Sequence, residues 1–255
     1  MKLKNNNLSL FCWNIANPSI ERAEKQADWL AHRLDDDVFI LTETKNSRGC
    51  LFIEEYFKKN HYNVIFEKPK NNEYGVMIIS KHSIMPISFY NSEDNLSSRV
   101  ASVKIVLNGK SIDIIGIYVP SRDRSPGKIA RKKYFIEKVQ KALISKKEGT
   151  HTILCGDFNI LEPNHIPHYS FFEAWEYDFY SFLQNYGLSD SFRHLNPDQK
   201  EYSWVGRTGN GYRYDHFFTS RNLLSVIEKC YYFHDTKKEK LSDHSAVILE
   251  IKNNR

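Results

Sequence analysis

Apolar residues recur along this chain in two rhythms. Runs of mostly apolar residues, Leu8–Ile15, Val38–Thr42, Tyr62–Phe66, Val76–Ser80, Val100–Leu107, Ser111–Val119, Thr152–Cys155, Tyr214–Thr219, Val226–Phe233 and Ala246–Ile251, have the length and β-branched content of strands. Between them, Ile20, Ala23, Ala27, Leu30 and Leu34 fall at three- and four-residue spacing and mark an amphipathic helix, with Ser19 placed as its N-cap. A second helix is predicted over residues 128–147, with Phe135, Ile136, Val139, Ala142 and Leu143 inward and the basic side chains outward. A third is predicted over residues 173–186, stopped by Gly187. Asn108-Gly109 between two strand runs is a hairpin signal, so at least one strand pair is antiparallel. Val38–Leu41, Ile112–Val119 and Ile153–Cys155 are continuously apolar, as strands covered on both faces should be. The pattern predicts a layered α/β protein with mixed sheets, and no segment reads as a linker, so residues 1–255 are read as a single domain.

Composition narrows the class. With 255 residues, 41% apolar and 26% charged, the chain can bury a core and lacks the signature of disorder. Its apolar runs are too short to cross a bilayer and the segment after Met1 is too short for a secretory signal, so no membrane partner is expected. Cys12, Cys50, Cys155 and Cys230 are far apart and form no CxxC pair, which suggests reduced thiols in a cytoplasmic protein and disfavours structural zinc. The net charge of +5 is uneven: over residues 122–147 ten basic side chains face two acidic ones, a local +8 that leaves −3 for the rest. Such a stretch is first a solvated helix face and second a contact for a polyanion.

Polar residues follow the buried strands with a regularity that the fold alone does not require. Asn14 ends the first run, Glu43 follows the second, Tyr118 and Pro120 end the sixth, and Asp157 and Asn159 come after Gly156. Asp215 lies in Arg213-Tyr-Asp-His, and Ser242-Asp243-His244 precedes the last strand. Any one of these is ordinarily a turn residue or a cap. Together, if neighbouring strands point the same way, they converge on one rim, where α/β folds place their sites. A set of carboxylates, amides, a Tyr and a His without Cys suits a hard cation such as Mg²⁺.

Asn14 in Cys-Trp-Asn-Ile, Glu43 in Leu-Thr-Glu-Thr-Lys, Tyr118-Val-Pro120, Gly156-Asp-Phe-Asn159, Arg213-Tyr-Asp215 and Ser242-Asp-His244 stand in the order of the motifs of the endonuclease/exonuclease/phosphatase superfamily, which the sequence resembles over nearly its whole length. Within it the chain is most similar to the exonuclease III type of abasic-site endonuclease, whose pattern Gly75–Lys81, Gly187–His194 and Tyr202-Ser-Trp204 also match. The resemblance implies a four-layer α/β sandwich, with two mixed β-sheets face to face and helices on the outer faces. It also implies a Mg²⁺-dependent phosphodiesterase, Mn²⁺ being the alternative ion, that acts as a monomer on double-stranded DNA at abasic sites, at 3′ ends, or both. Carried over by motif, Glu43 is the principal metal ligand with Asn14 and Asp243 nearby. Asp157 positions or deprotonates the attacking water, and Asn159 fixes Asp157 and the phosphate. His244, oriented by Asp215, donates to a phosphate oxygen, and Tyr118 contacts the same phosphate. Other superfamily substrates, RNA, nonspecific DNA or inositol phosphates, remain as alternatives, as does a nucleic-acid-binding relative without catalysis.

The chain also departs from its family's pattern. Ala16 stands where an Asn or Asp is usual and implies a changed coordination sphere, and Thr42 replaces a Gln before Glu43. The family's pocket for a flipped-out abasic sugar has an aromatic after the Trp and an aliphatic residue before Arg-x-Asp. Here Val205 follows Trp204 and Tyr212 precedes Arg213, which implies a reshaped pocket. The stretch 164–180 is short and aromatic, read first as packing and second as a stacking rim. For DNA contact, Arg99, Arg122 and Arg213 are candidates to hold phosphates, with Trp204 and Tyr212 as further contacts; Arg99 and Arg213 could equally be structural ion-pair partners.

Overall fold

The strand runs assemble into two six-stranded sheets in the computed structural model of the chain, which describes residues 7–252 apart from 108 and 148. The first half contributes β1 (Leu8–Asn14), α1 (Ile20–Ala31), β2 (Val38–Thr44), α2 (Arg48–Lys59), β3 (Asn63–Phe66), β4 (Gly75–Ser80), β5 (Ile84–Pro86), β6 (Val100–Leu107), β7 (Lys110–Tyr118) and α3 (Pro126–Ile144). The second half contributes β8 (His151–Asp157), α4 (Ala174–Tyr186), β9 (Leu188–Asp190), α5 (Ser191–Leu195), β10 (Trp204–Val205), β11 (Gly211–Tyr212), β12 (Asp215–Ser220), β13 (Ile227–Phe233), α6 (Asp235–Lys238) and β14 (Ala246–Ile251). One sheet has the order β13-β14-β1-β2-β4-β3 and the other β5-β6-β7-β8-β12-β9, while β10 and β11 form a separate small hairpin.

The pleat explains the layering. Successive side chains on a strand face opposite sides. Leu10 and Cys12 on β1 and Ile40 on β2 meet Val103, Ile114 and Cys155 from the other sheet in one buried cluster, so the two sheets pack face to face. The alternate positions Phe11, Trp13, Phe39 and Leu41 pack instead against Ala23, Ala27 and Leu30 of α1 and Ile53 and Phe57 of α2. On the far side, Ile115, Ile117 and Leu154 pack against Phe135 and Val139 of α3 and Phe179 and Leu183 of α4. The result is the expected four-layer sandwich, and its strands read as continuous apolar runs because both faces are covered.

Local signals account for the helix ends. Ser19 caps α1 by accepting from the Arg22 N–H, and Gly187 closes α4 in the left-handed conformation with φ +103°. Leu107 and Lys110 pair across an antiparallel turn with Gly109 at φ +76°; Asn108, the other half of the expected turn signal, lies outside the described residues. Helix α2 is an addition to the expected elements. Its Gly49 obscures the pattern, and the glycine is there because a Cβ would stand 2.1 Å from the Pro18 carbonyl oxygen at the start of α1. Among the described residues no helix is long and apolar enough to cross a membrane.

Candidate active site

Parallel pairing brings the polar strand ends together. β1 and β2 run parallel with Asn14 opposite Thr42, and β7 and β8 run parallel with Tyr118 opposite Asp157. β12 runs antiparallel to β8, so its first residue, Asp215, lies opposite Asp157. β14 is antiparallel to β1 and begins just after His244, which completes the same rim. At Gly156, φ is +142° and a Cβ would stand 1.8 Å from the Ile117 carbonyl oxygen, so only glycine lets β8 pass this close to β7 just before Asp157.

Asn14 is the hinge of the polar cluster. Its Nδ2 donates to Glu43 Oε2 and to Asp157 Oδ2, both at 2.9 Å, and its Oδ1 accepts the Ala16 N–H. The Tyr118 hydroxyl donates to the same Glu43 oxygen at 3.1 Å. Asp157 Oδ1 accepts the backbone N–H of Asn159, which sits at φ +48°, and the Asn159 side chain donates to the Val119 carbonyl. Glu43 is itself at φ +56°. Two non-glycine residues in the left-handed region at one rim mark backbone strain held by the surroundings.

The second half of the cluster is a dyad. His244 Nδ1 lies 2.8 Å from Asp215 Oδ2, and the loop carrying His244 is fixed from three sides. The Trp13 indole and the Thr236 hydroxyl both donate to the His244 carbonyl, and the Ser242 hydroxyl donates to the Asn14 carbonyl. Burial alone would lower the His244 pKa, but the facing Asp215 charge and its hydrogen bond, with Asp157 and Asp243 behind, raise it to about 9. With Nδ1 engaged by Asp215, the protonated ring has its Nε2–H free to donate to an anion. Asp157 moves the other way from an ordinary carboxylate: burial, then the Asp215 charge, push it up to about 7 against the opposing pull of His244 and Asn14. A carboxyl poised there can take a proton from water near neutral pH.

Asp157, Asp215 and His244 bring one ligand atom each within 4.8 Å of one another, and among the described residues this is the group of His, Cys, Asp and Glu side chains able to hold a metal ion. Glu43, joined to Asp157 through the Asn14 amide nitrogen, adds a further hard carboxylate beside this group, while the Asn14 oxygen is turned to the Ala16 N–H. Asp243, the other expected ligand, is exposed and accepts the Trp204 indole N–H at 2.9 Å.

The three arginines read as phosphate contacts are all engaged in buried ion pairs. Arg213 is fully buried, with Nη2 at 2.7 Å from both Glu162 and Asp190. Arg99 is 4% exposed, paired with Glu73, donating to the Tyr118 carbonyl and lying 4.8 Å from the Tyr118 ring centre. The Arg122 guanidinium is buried against Glu176 and Phe171. Each is a structural ion-pair partner, because a buried cation needs a fixed counter-charge. The basic stretch is mostly the solvated face expected first, with Arg124, Lys128, Arg131, Lys133, Lys141 and Lys147 exposed. Lys132 is buried on Glu176 and the Asn159 carbonyl, and Arg131, Lys146 and Lys128 are paired with Glu73, Asp113 and Asp123. Sequence alone hid the burial of Lys132, which stands between Arg131 and Lys133, and of Glu162 and Glu176, whose apolar flanks resemble any amphipathic segment. Trp204 and Tyr212 are half-buried on the hairpin beside His244, and the 164–180 stretch packs as expected through Phe172, Phe179 and Tyr180.

The Arg213 network makes stability acid-sensitive. Burial would raise Glu162, but bonding and charge from Arg193 and Arg213 hold it down at about 2. Because the folded value lies below the ordinary 4.5, this stabilisation is complete above about pH 4.5 and is lost as the pH falls toward 2. It amounts to at most about 3 kcal/mol. Urea unfolding at stepped pH is expected to show that decline, and Glu162→Gln is expected to flatten it; an equal decline in the variant would place the acid sensitivity elsewhere.

The model of the Endonuclease/Exonuclease/phosphatase family matches residues 11–244. Among curated proteins, Recombination repair protein 1 of Drosophila melanogaster is 27% identical over 261 residues, covering 95% of this chain and 37% of that protein, so the chain spans little more than a third of this relative's length. Among solved structures, the 3′ phosphatase NExo from Neisseria, in a variant form bound to a product DNA hairpin, superposes with a TM-score of 0.82 at 20% identity, covering 96% of this chain and 99% of that one. An AP endonuclease from Archaeoglobus fulgidus gives 0.80 at 22% identity, covering 95% and 98%. At such identities the likeness establishes the fold.

Proposed function

The chain belongs to the endonuclease/exonuclease/phosphatase family, and from that premise we propose that it is a Mg²⁺-dependent DNA phosphodiesterase of the exonuclease III type. It acts as a cytoplasmic monomer on double-stranded DNA, at abasic sites, at 3′ ends, or both. The observation that carries the reading is geometric: the Asn14 amide joins Glu43 to Asp157 by two 2.9 Å hydrogen bonds, and the Asp215–His244 dyad stands beside them, with Asp157, Asp215 and His244 bringing one ligand atom each within 4.8 Å of one another. The names of the relatives support DNA as the substrate: one is a repair protein, one an AP endonuclease and one a 3′ phosphatase with product DNA.

Each residue then has a physical task. Glu43, with Asn14 and Asp243, would hold Mg²⁺, which supplies charge neutralisation at the phosphate and the leaving oxygen. Asp157 orients a water and accepts its proton as the water oxygen attacks phosphorus. Asn14 and the Asn159 N–H each occupy one lone pair of the two Asp157 oxygens, so the lone-pair directions left for that water are fixed. His244 donates from Nε2 to a non-bridging phosphate oxygen as charge builds there, and Asp215 keeps the ring protonated and aimed. The Tyr118 hydroxyl, held 3.1 Å from Glu43, is placed to turn to the same phosphate. The 3′ oxygen leaves as the new bond forms.

Three end-labelled duplexes test this: one with an internal abasic analogue, one with a recessed 3′ end and one intact, each with Mg²⁺ and with EDTA. Cleavage of either of the first two that EDTA abolishes is expected. Failure to cleave any of them with Mg²⁺ or Mn²⁺ would overturn the DNA reading and direct the search to RNA or another phosphate ester.

A further inference from the structure

The two flanks of the site differ. Beside His244 stands a stack of aromatic rings. Trp204, whose indole N–H holds Asp243, faces the His244 ring at 6.4 Å and is followed by Tyr212 at 5.4 Å and Tyr214 at 6.1 Å. Tyr212 and Tyr214 lie 5.1 Å apart and 17° from parallel, and Tyr169 covers Tyr212 at 4.5 Å and 24°. Tyr169 comes from the loop between β8 and α4. Its hydroxyl donates to the Gly211 carbonyl on the hairpin, and the Tyr202 hydroxyl returns a bond to the Ile166 carbonyl on the loop. Loop and hairpin are thus fastened together across the stack. On the Glu43 side lies a cavity of about 630 Å³ bordered by Asn17, Lys45, Asn71 and Asn72, with the Asn17 N–H donating to the Glu43 carbonyl.

We infer that Tyr169, by covering Tyr212 and so closing the stack of Trp204, Tyr212 and Tyr214 beside His244, makes this site selective for phosphates at 3′ strand ends and against an internal phosphate whose neighbouring sugar must rotate out of the duplex. The inference rests on the phosphodiesterase reading above and chooses between the two positions of attack that it leaves open, a terminal 3′-phosphate being a monoester hydrolysed by the same attack of water on phosphorus, with the 3′ oxygen leaving and inorganic phosphate released. A rotated-out sugar needs a close-fitting hollow next to the phosphate it brings to the site. On the His244 flank, the ring faces that would line such a hollow are already stacked on one another, and separating them forfeits those contacts. A strand-end phosphate has no nucleotide on its far side. It can enter from the open Glu43 flank with the stack intact.

Tyr169 touches none of Glu43, Asp157 and His244, so its replacement separates selectivity from chemistry. The test compares two duplexes, one with an internal abasic analogue and one nicked with a 3′-phosphate, for the wild-type protein, Tyr169→Ala and Tyr169→Phe. The wild type is expected to process the 3′-phosphate at least about 100-fold faster than it incises the internal analogue. Tyr169→Ala is expected to narrow that ratio by about tenfold with end processing within about twofold of wild type, while Tyr169→Phe keeps the ring and the wild-type ratio. Comparable wild-type rates on the two duplexes, or an unchanged ratio in Tyr169→Ala, would overturn the inference and leave the phosphodiesterase reading standing. If Tyr169→Ala fails to fold, losing both activities, the wild-type ratio decides alone. If the wild type attacks neither duplex, the phosphodiesterase reading falls and this inference with it.

Discussion

Asp157→Asn and His244→Ala are each expected to slow DNA hydrolysis by about 10²- to 10³-fold, roughly 3 to 4 kcal/mol of transition-state stabilisation. The two losses have different origins. Asn at position 157 keeps the size of the side chain but cannot accept the proton of the attacking water. It also turns an NH₂ toward one of the two donors, Asn14 Nδ2 and the Asn159 N–H, that Asp157 now satisfies. Removing the His244 imidazole withdraws a donor held protonated by Asp215, at the place where phosphate charge develops. It also strips Asp215 of a partner, and Asp215 Oδ1 is already a buried atom without one. Some loss of stability is therefore expected beside the loss of rate. Single-turnover rates paired with melting curves separate the two, and a rate within about tenfold of wild type in a folded variant would remove that residue from the chemistry.

Arg213→Met is expected to cost about 3 to 5 kcal/mol of folding stability, lowering the melting temperature by roughly 10 °C. The guanidinium is fully buried between Glu162 and Asp190, also bonds Tyr232, and leaves both carboxylates as buried charges if it is removed. Glu162 retains the Arg193 guanidinium, so the larger share of the penalty falls on Asp190, whose remaining partners are the neutral Tyr180 hydroxyl, the Arg193 backbone N–H and His216. The network matters to the site through Tyr232, whose hydroxyl donates to the Asp215 carbonyl and so ties the dyad to the charged core. A phosphate contact would behave in the opposite way. Its loss would leave stability intact and reduce the salt dependence of DNA binding by about one unit of slope. Thermal melting and a salt series on one preparation therefore decide between the two roles.

How much of this was legible in the sequence depends on the kind of interaction. Strand runs and the amphipathic α1 could be read because burial on one or two faces writes a period into the sequence. The convergence of Asn14, Glu43, Tyr118, Asp157, Asp215 and His244 could also be read, since residues at the ends of buried strands have few other reasons to be polar. The fate of a cation could not. Arg122 and Lys132 sit in the most basic stretch of the chain, yet both are buried on Glu176, more than forty residues away in sequence. Charge runs are local, whereas ion pairs are made by the fold. The same holds for Tyr169: its aromatic neighbourhood was visible, but its partner, Tyr212, lies on a hairpin that no periodicity announces. Asp243 could be assigned next to a metal only by its motif, and the structure places it on the Trp204 indole.

If this rim directs a water to phosphorus with the 3′ oxygen leaving, the oxygen of that water must end on the phosphate. Cleavage of duplex DNA in heavy-oxygen water with Mg²⁺, followed by mass spectrometry of the products, tests this most directly. One heavy oxygen is expected on the released phosphate group, whether inorganic or at a 5′ end, and none on the 3′-hydroxyl. Label on the 3′-hydroxyl, an unlabelled phosphate, or no cleavage at all would contradict the proposed chemistry.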